Sequence, residues 1–531
     1  MPVSAPNVSV SCSPCSRYNR PSRARRCGAG RTDRAAGWRR TVARGPYPAL
    51  AVLTGVPVRR RTVAGVVTDA PPGEATRVDR RLVPVLVFLG IVTTAVGSLG
   101  APLLPSIAAA DHVSVADSQW ALTISLLVGA VASPVLGRVG DGERRRTVLL
   151  AAVFVVTVGC AVSALPTGFA GLLAGRALQG VGLGLIPLAM ATARDALPAA
   201  RSGPTIALLG VTTSAGIGVG YPAAGLLTQY VGLPAAFWAG AATSAVALIA
   251  AALVLPSGPP RPAQPVDAAG ALLLGGGVVC LLLALAEGGQ WGWTSARVLG
   301  LIGAAALLLA GWVRRELSAR APLVDVRALR HPSVLAANTT VLLVGIGIYP
   351  LLSLIVRLVE TPTSTGYGFG ASVTVAGLML VPFSLASFAA SRVIAPALRR
   401  TTPEVVVALS CLVMLAAMVL FWVARDHLVE LLVTMALAGF GVGCVFAANP
   451  LQIVRGVPAA QTGSALGFYQ VLRALAFTVG SVLSATVLVA STPAGRSTPT
   501  TSGYDSAAVL GIAVLVVAVV LATALSRRAP G

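Results

Sequence analysis

The sequence predicts an all-α polytopic membrane protein, and two observations support that fold class. Hydrophobic residues make up 55% of the 531-residue chain and charged residues only 11%, against about 25% charged residues in an average soluble domain. Apolar stretches that approach or reach the roughly 20 residues needed to cross a bilayer recur along the chain, for example residues 271–286 and 507–525. A soluble globular protein is therefore excluded.

The first 81 residues differ from the rest of the chain. They are rich in Arg, Pro, Gly and Ser and contain no segment long enough to span a membrane. We predict a disordered N-terminal extension over residues 1–81. A misassigned start site is the sharper hypothesis, because no Met stands between Met1 and Met190, and a native peptide covering residues 17–40 would exclude it. The formal net charge of +22 is interpreted as a basic tail rather than a nucleic-acid-binding arm.

Fourteen membrane-spanning helices are predicted from residue 82 onward by their apolar length. Their predicted bounds are 83–107, 119–138, 147–165, 168–191, 204–229, 233–255, 268–288, 297–314, 334–356, 371–395, 404–424, 428–448, 463–490 and 506–526. An even number places both termini on one side, and most Arg residues after residue 81 fall in loops or helix ends on that side. The positive-inside rule therefore predicts cytoplasmic termini.

Two stretches indicate an internal repeat. Residues 133–147 read SPVLGRVGDGERRRT and residues 387–401 read SFAASRVIAPALRRT, at corresponding ends of the second and tenth helices. A six-helix half needs about 180 residues, so the larger separation leaves room for two extra helices. The predicted organisation is a six-helix half at 82–255, a linker with two extra helices at 256–332, and a second half at 333–531.

The loop after the second helix carries a charged motif, GRVGDGERRRTVL. Gly137, Asp141, Arg145 and Arg146 stand in it, and a carboxylate that faces a helix N-terminus and a guanidinium forms a latch. Such a latch has to break when the two halves rock, so we predict a gating loop. A positive-inside loop without a gating role is the alternative.

Two further motifs lie inside helices. The fourth helix reads GRALQGVGLG, with Arg176, Gln179 and Gly180, and the thirteenth carries Arg473. An Arg within a membrane helix is expensive, so both are predicted to face the transport pathway or a partner. Helix pairing without transport is the alternative for the glycines.

The fifth helix reads GIGVGYPAAG. Gly216, Gly220 and Gly225 allow close helix approach and Pro222 allows a bend, which together suit a gate.

These motifs resemble the fourteen-helix drug:proton antiporter branch of the major facilitator superfamily. The latch loop resembles G-x-L-A-D-R-x-G-R-R-x-x-L, with Gly142 in place of the usual Arg and Arg144 in place of Gly; the fourth helix resembles R-x-x-Q-G. The fifth helix resembles the exporters' antiporter motif, its G-P pair split by Tyr221. The resemblance implies a major facilitator fold arranged as 6+2+6, and export of drugs or antibiotics by proton antiport.

The first helix departs from the branch pattern L-D-x-T-I-V-N-V-A-L-P-x-I. Residues 95–107 read AVGSLGAPLLPSI, so Val96 stands where the branch has an Asp associated with proton handling. No carboxylate falls in the middle of a predicted helix, and Glu287 and Glu360, toward the outer side, become the candidates for proton coupling. Solvated helix-end charges are the alternative for both. The remaining positive charge of Arg176 and Arg473 favours neutral or anionic amphiphiles over lipophilic cations.

The predicted function is secondary export across a bacterial cytoplasmic membrane. The expected partners are a small amphiphilic substrate, protons and the lipid bilayer, without nucleic acid, enzymatic chemistry or cofactor. No GxxxxGK[ST] phosphate loop occurs, and Cys12 and Cys15 form a CxxC without the second pair that a metal site needs. A facilitative or uptake carrier of the same fold and a non-transporting membrane receptor or scaffold are the competing hypotheses.

Overall fold

The computed structural model describes residues 72–260, 265, 267–398, 400–493 and 498–526, and these residues form helices and connecting loops without a strand. Fourteen of the helical segments are long and apolar enough to cross a membrane. Helices are favoured there because every internal backbone N–H and C=O is paired within the segment. The predicted all-α polytopic fold is confirmed.

The first six spans are built from nine α-helices, two of them short connecting helices, and one 3₁₀ turn. In chain order the helices are α1 (Pro72–Ser98), α2 (Gly100–Ala110), α3 (Val115–Ser118), α4 (Trp120–Val139), α5 (Arg145–Ala164), α6 (Gly168–Gly180), α7 (Leu185–Ala196) and α8 (Ala199–Tyr230), followed by α9 (Leu233–Val254) as the sixth span. The short helices α2 and α3 follow the first span, and the 3₁₀ turn Val181–Gly184 joins α6 to α7 within the fourth.

The remaining eight spans follow the same pattern. They are α10 (Ala268–Trp291), α11 (Ala296–Ser318), α12 (Pro332–Glu360), the pair α13 (Val373–Leu378) and α14 (Leu380–Ala397), α15 (Pro403–Val423), α16 (Leu428–Gly456), α17 (Thr462–Ala490) and α18 (Thr501–Ser526).

The predicted helix bounds agree with these elements to within a few residues at most ends. The main differences are at α1, which begins at Pro72 instead of residue 83, and at α16, which continues to Gly456 instead of residue 448. A proline in the first turn favours helix initiation because it has no N–H that would need a partner there. Residues 1–71 of the extension predicted for residues 1–81 lie outside the described residues, and residues 72–81 belong to α1.

The helices pack as two bundles joined by two seams. Helices α1 and α4 to α9 contact one another, and so do α12 and α14 to α18. Between the bundles, α4 packs on α17, and α8 packs on α14 and α16.

The two extra helices lie beside this seam. Helix α10 touches both α4 and α17, and α11 packs on α10. Trp312 of α11 stacks on Phe468 of α17 with ring centroids 5.5 Å apart, and its Nε1–H donates to Glu316 at 2.9 Å. The arrangement is six helices, an inserted pair, and six helices.

Candidate functional site

The loop between α4 and α5 contacts the first turn of α17 through Asp141. Its Oδ1 accepts a hydrogen bond from the N–H of Gly463 at 2.7 Å, and its Oδ2 accepts one from the N–H of Ser464 at 3.1 Å. The first N–H groups of a helix have no partner within the helix, and the positive end of its dipole attracts a carboxylate. We call this contact the latch, and the end of the bundles on which it lies the latch face.

Glycines allow the two backbones to meet at the latch. A Cβ on Gly463 would lie 2.6 Å from the carbonyl oxygen of Gly137 and 2.7 Å from Oδ1 of Asp141, and a Cβ on Gly467 would lie 2.6 Å from the carbonyl oxygen of Ser133. These distances are too short for any side chain. Sequence analysis placed Gly137 in the loop motif but missed its partners, although the small residues of TGSALG at the start of α17 were a usable signal.

The two arginines of the motif have different surroundings. Arg145 is buried, with Nη1 2.6 Å from Asp195, Nη2 3.8 Å from Asp141, and further bonds to the carbonyls of Gly140 and Ala191. Arg146 is exposed and donates to a carbonyl near the end of α9. Arg145 therefore holds the loop that presents Asp141.

Burial raises the pKa of Asp141 to about 6, from 3.8, although the N–H groups of Gly463 and Ser464 and the charge of Arg145 act in the opposite direction. Removing a carboxylate from water disfavours its ionised form. The latch carboxyl therefore titrates closer to neutral pH than an exposed Asp.

A second contact crosses the same seam. The guanidinium of Arg194, near the end of α7, donates to the hydroxyl of Thr462 and to the carbonyl of Val457. Both acceptors flank the start of α17, so Arg194 and Asp141 hold the same turn. Sequence analysis did not single out Arg194.

Arg176 joins three spans through backbone carbonyls. It is fully buried, and its Nε donates to Ala121 at 2.9 Å while Nη1 and Nη2 donate to Val96 and Gly97 at 3.3 Å each. Nη1 also bonds Gln179 at 2.6 Å. The carbonyl of Val96 thus stands near this cation at the position where the resemblance expects an acidic side chain.

The small residues of the fourth and fifth spans lie at close helix contacts. A Cβ on Gly180 would overlap the backbone of α4, and Cβ atoms on Gly216 and Gly220 would meet Thr94 and Ala95 of α1. Gly225 has open space around it. Pro222 lies inside α8, which remains one continuous helix.

Arg473 lies between the bundles among aromatic rings. It is 7% exposed, its Cζ lies 4.8 Å from the ring centroid of Phe446, and its Nη1 approaches the hydroxyl of Thr213 on α8 at 3.4 Å. Phe477 lies 6.1 Å from Phe446 and stacks on Tyr349 at 5.0 Å. Sequence analysis identified Arg473 but not these rings.

The two candidate proton carriers lie in different surroundings. Glu287 is buried on α10, one of the extra helices, and interacts electrostatically with Asp117. Glu360 is exposed at the end of α12 opposite the latch face. Within the part of the chain that the structure describes, no group of three or more His, Cys, Asp or Glu residues is placed to hold a metal ion; Cys12 and Cys15 lie outside that part.

Comparison with known proteins identifies a family. The sequence profile of the Major Facilitator Superfamily matches residues 86–481. The chain is 32% identical over 319 residues to an uncharacterized MFS-type transporter of Mycobacterium tuberculosis, covering 59% of this chain and 45% of the relative. It is 32% identical over 265 residues to the tetracenomycin C resistance and export protein of Streptomyces glaucescens, covering 49% and 48%. The chain thus spans about half the length of these two relatives.

A longer sequence match supports this family, and a solved structure has a similar fold. The multidrug resistance protein Stp of Mycobacterium tuberculosis is 28% identical over 396 residues, which cover 73% of this chain and 72% of Stp. The crystal structure of the human organic anion transporter MFSD10 superposes with a TM-score of 0.59 at 20% identity, covering 85% of this chain and all of that one. The similarity to MFSD10 shows the fold alone.

Proposed function

Since this chain belongs to the Major Facilitator Superfamily, whose members are transporters and not enzymes, we propose that it exports small amphiphilic compounds, such as drugs or antibiotics, by proton antiport. The names of two relatives support export, since one is a multidrug resistance protein and the other a resistance and export protein. The chain is a multi-pass membrane protein. We place it in a bacterial cytoplasmic membrane with both termini in the cytoplasm, because Arg residues concentrate on the latch face.

The latch is the observation that supports an alternating mechanism. Asp141 belongs to the first bundle and binds the N-terminus of a helix in the second. A carrier that exposes a central site to each side in turn has to break such a contact and form it again. We propose that residues 82–255 and 333–531 move as the two halves, with Gly137, Asp141, Arg145 and Arg146 as the gating loop.

Transport in everted vesicles tests this proposal. An acidic interior should drive accumulation of cationic, neutral or anionic amphiphiles by the wild type. Asp141→Asn should abolish accumulation, because an amide has one acceptor oxygen for the two N–H groups of α17. Glu143→Gln, in the same loop but exposed, is the matched control and should transport normally. Equal transport by both variants contradicts a gating role for Asp141.

Proton coupling is assigned to Glu287 or Glu360. Both stand toward the face opposite the latch, where they can take protons from external water. Glu287→Gln and Glu360→Gln should each be tested for pH-driven exchange, and a variant with unchanged exchange rejects that residue as the carrier.

A facilitative carrier is the second candidate function. It is favoured by Val96 at the position of the branch's acidic residue, and by a central layer around Arg473 in which the described residues form no ion pair with a carboxylate. Equilibration of substrate without a pH gradient would identify it.

A further inference from the structure

We propose that the transported compound carries an acidic group, and that Arg473 and Gln470 bind this group beside the aromatic rings of Phe446, Phe477 and Tyr349. This inference rests on the proposed function, since it names the chemical class of the substrate. The inference goes beyond the proposed function by assigning the residues that recognise the charge of the substrate.

Arg473 is a buried cation that lacks a carboxylate partner among the described residues. Its guanidinium contacts the ring of Phe446 and donates a long hydrogen bond to the hydroxyl of Thr213. Arg145 differs, because it pairs with Asp195 at 2.6 Å. Arg176 also differs, because carbonyl and amide oxygens occupy its guanidinium. A buried charge without a counter-ion is strongly unfavourable, so an anionic ligand at Arg473 would gain from supplying one.

Gln470 adds a donor on the same side of α17. It precedes Arg473 by three residues, and residues with this spacing lie on the same helical face. Its Nε2 is buried and has no hydrogen-bond partner, and its side chain lines the same small cavity as Arg473. A buried hydrogen-bond donor is costly unless an acceptor forms a hydrogen bond with it. A carboxylate accepts hydrogen bonds at both oxygens and therefore suits a guanidinium and an amide together.

The aromatic rings indicate the body of the ligand. Phe446 is buried, whereas Tyr349 and Phe477 are part-exposed. Aromatic rings prefer stacked or edge-to-face neighbours. A planar aromatic acid matches both the rings and the positive charge, whereas a lipophilic cation would bring a second positive charge next to Arg473.

The site is closed in this conformation. The cavity that Arg473, Gln470, Phe446 and Tyr469 line has a volume of about 10 Å³, which is about the lower limit for one water molecule. The latch is also closed. Ligand binding therefore requires the bundles to separate, and it selects the open state over the one described here.

Ligand-dependent thermal stability of the purified full chain tests the proposal. The probes are anthracene-9-carboxylate, the neutral anthracene-9-carboxamide of nearly the same shape, and the cationic 9-(aminomethyl)anthracene. The wild type should be stabilised by the carboxylate, with an affinity at least about tenfold above that for the carboxamide, because a hydrogen-bonded charge pair is lost with the amide. The cation should bind most weakly.

Variants then locate the effect. Arg473→Gln should remove the preference for the carboxylate while retaining binding of the carboxamide. Arg473→Lys should keep part of the preference, because it keeps the charge but not the paired donors. Arg297→Gln removes the same charge from an exposed position on α11 and should behave as the wild type.

Two outcomes overturn the proposal. One is a wild-type protein that binds the cation or the carboxamide with the same affinity as the carboxylate. This measurement does not depend on whether any variant folds. The other is an Arg473→Gln protein that keeps the full preference. Uptake of the same probes into everted vesicles separates this inference from the proposed export. Pumping of the cation alone overturns only the acidic substrate, whereas carboxylate binding without any transport overturns only the exporter.

Discussion

A single methyl group at the latch should shift the conformational equilibrium of the protein. The change is Gly463→Ala. The new Cβ would lie 2.6 Å from the carbonyl oxygen of Gly137 and 2.7 Å from Oδ1 of Asp141, whereas ordinary contact begins at 3.4 Å. One obstacle is backbone and the other is the carboxylate that caps α17, so neither can rotate away without loss. Helix α17 therefore has to move away from α4 by about 1 Å.

The expected magnitude follows from overpacking. Forcing an extra methyl group into a packed contact costs about 1–3 kcal/mol, and this strain exists only while the latch is closed. A penalty of about 2 kcal/mol lowers the ratio of closed to open molecules about 30-fold. Alanine also favours the helix by up to about 1 kcal/mol over glycine, in both states. Gly303→Ala on α11 controls for that gain, because a Cβ there would meet nothing within 4 Å.

Distance measurement between spin labels would detect the shift. Labels at Glu143 and Arg455 are suitable, because both side chains are exposed and they lie on opposite sides of the latch. In a cysteine-free background in lipid nanodiscs, the wild type and Gly303→Ala should give mainly the short distance, and Gly463→Ala mainly a longer one. Three identical distance distributions would refute the steric argument.

Three further predictions concern the same helices. The pKa of Asp141 is raised to about 6 with the latch closed and returns to about 3.9 when water reaches the carboxyl group. The closed state therefore binds the proton of Asp141 more tightly than the open state does. Protonation thus favours closing at low pH, and this stabilisation of the closed state is lost as the pH rises through about 6. The same label pair should show more closed molecules at pH 5 than at pH 8, and Asp141→Asn should remove the difference. Arg176→Met should lower the unfolding free energy by about 3 kcal/mol, since it leaves several buried acceptors without a donor, and an unaltered thermal midpoint would argue against that role. Trp312→Ala should destabilise the chain by about 3 kcal/mol, with a lower thermal midpoint and faster proteolysis of the linker before α10; equal proteolysis would show that the stack on Phe468 does not hold the pair.

The fold could be predicted because membrane-spanning helices are encoded locally. Length and apolar composition alone place a helix such as α9, predicted at 233–255 and present at Leu233–Val254. Interruptions within a span were not predicted. The fourth span breaks at the 3₁₀ turn Val181–Gly184, and the first ends at Ser98 before α2 begins at Gly100. Such breaks depend on neighbouring helices that supply partners for the freed backbone groups, and sequence spacing does not report those neighbours.

Only the charged residues of the candidate site could be predicted from the sequence. Asp141 and Arg176 stand out because charges are rare in membrane helices and their ends. Their partners are backbone groups, the N–H of Gly463 and the carbonyl of Val96 among them, and every residue carries such groups. Phe446 was missed for a related reason, since a lone aromatic residue in an apolar helix has no pattern that distinguishes it from ordinary core.

The uncompensated charge of Arg473 has an electrical consequence. The interior of a bacterial cell is held at a negative voltage, and moving one elementary charge across 100 mV changes the free energy by about 2.3 kcal/mol. A carrier that travels outward with an anion paired to Arg473 carries no net charge at its centre, and the same carrier returns empty with one positive charge. In the exporter proposed above, the voltage would pull that returning charge inward, and each completed cycle would be driven toward export even when no proton moves.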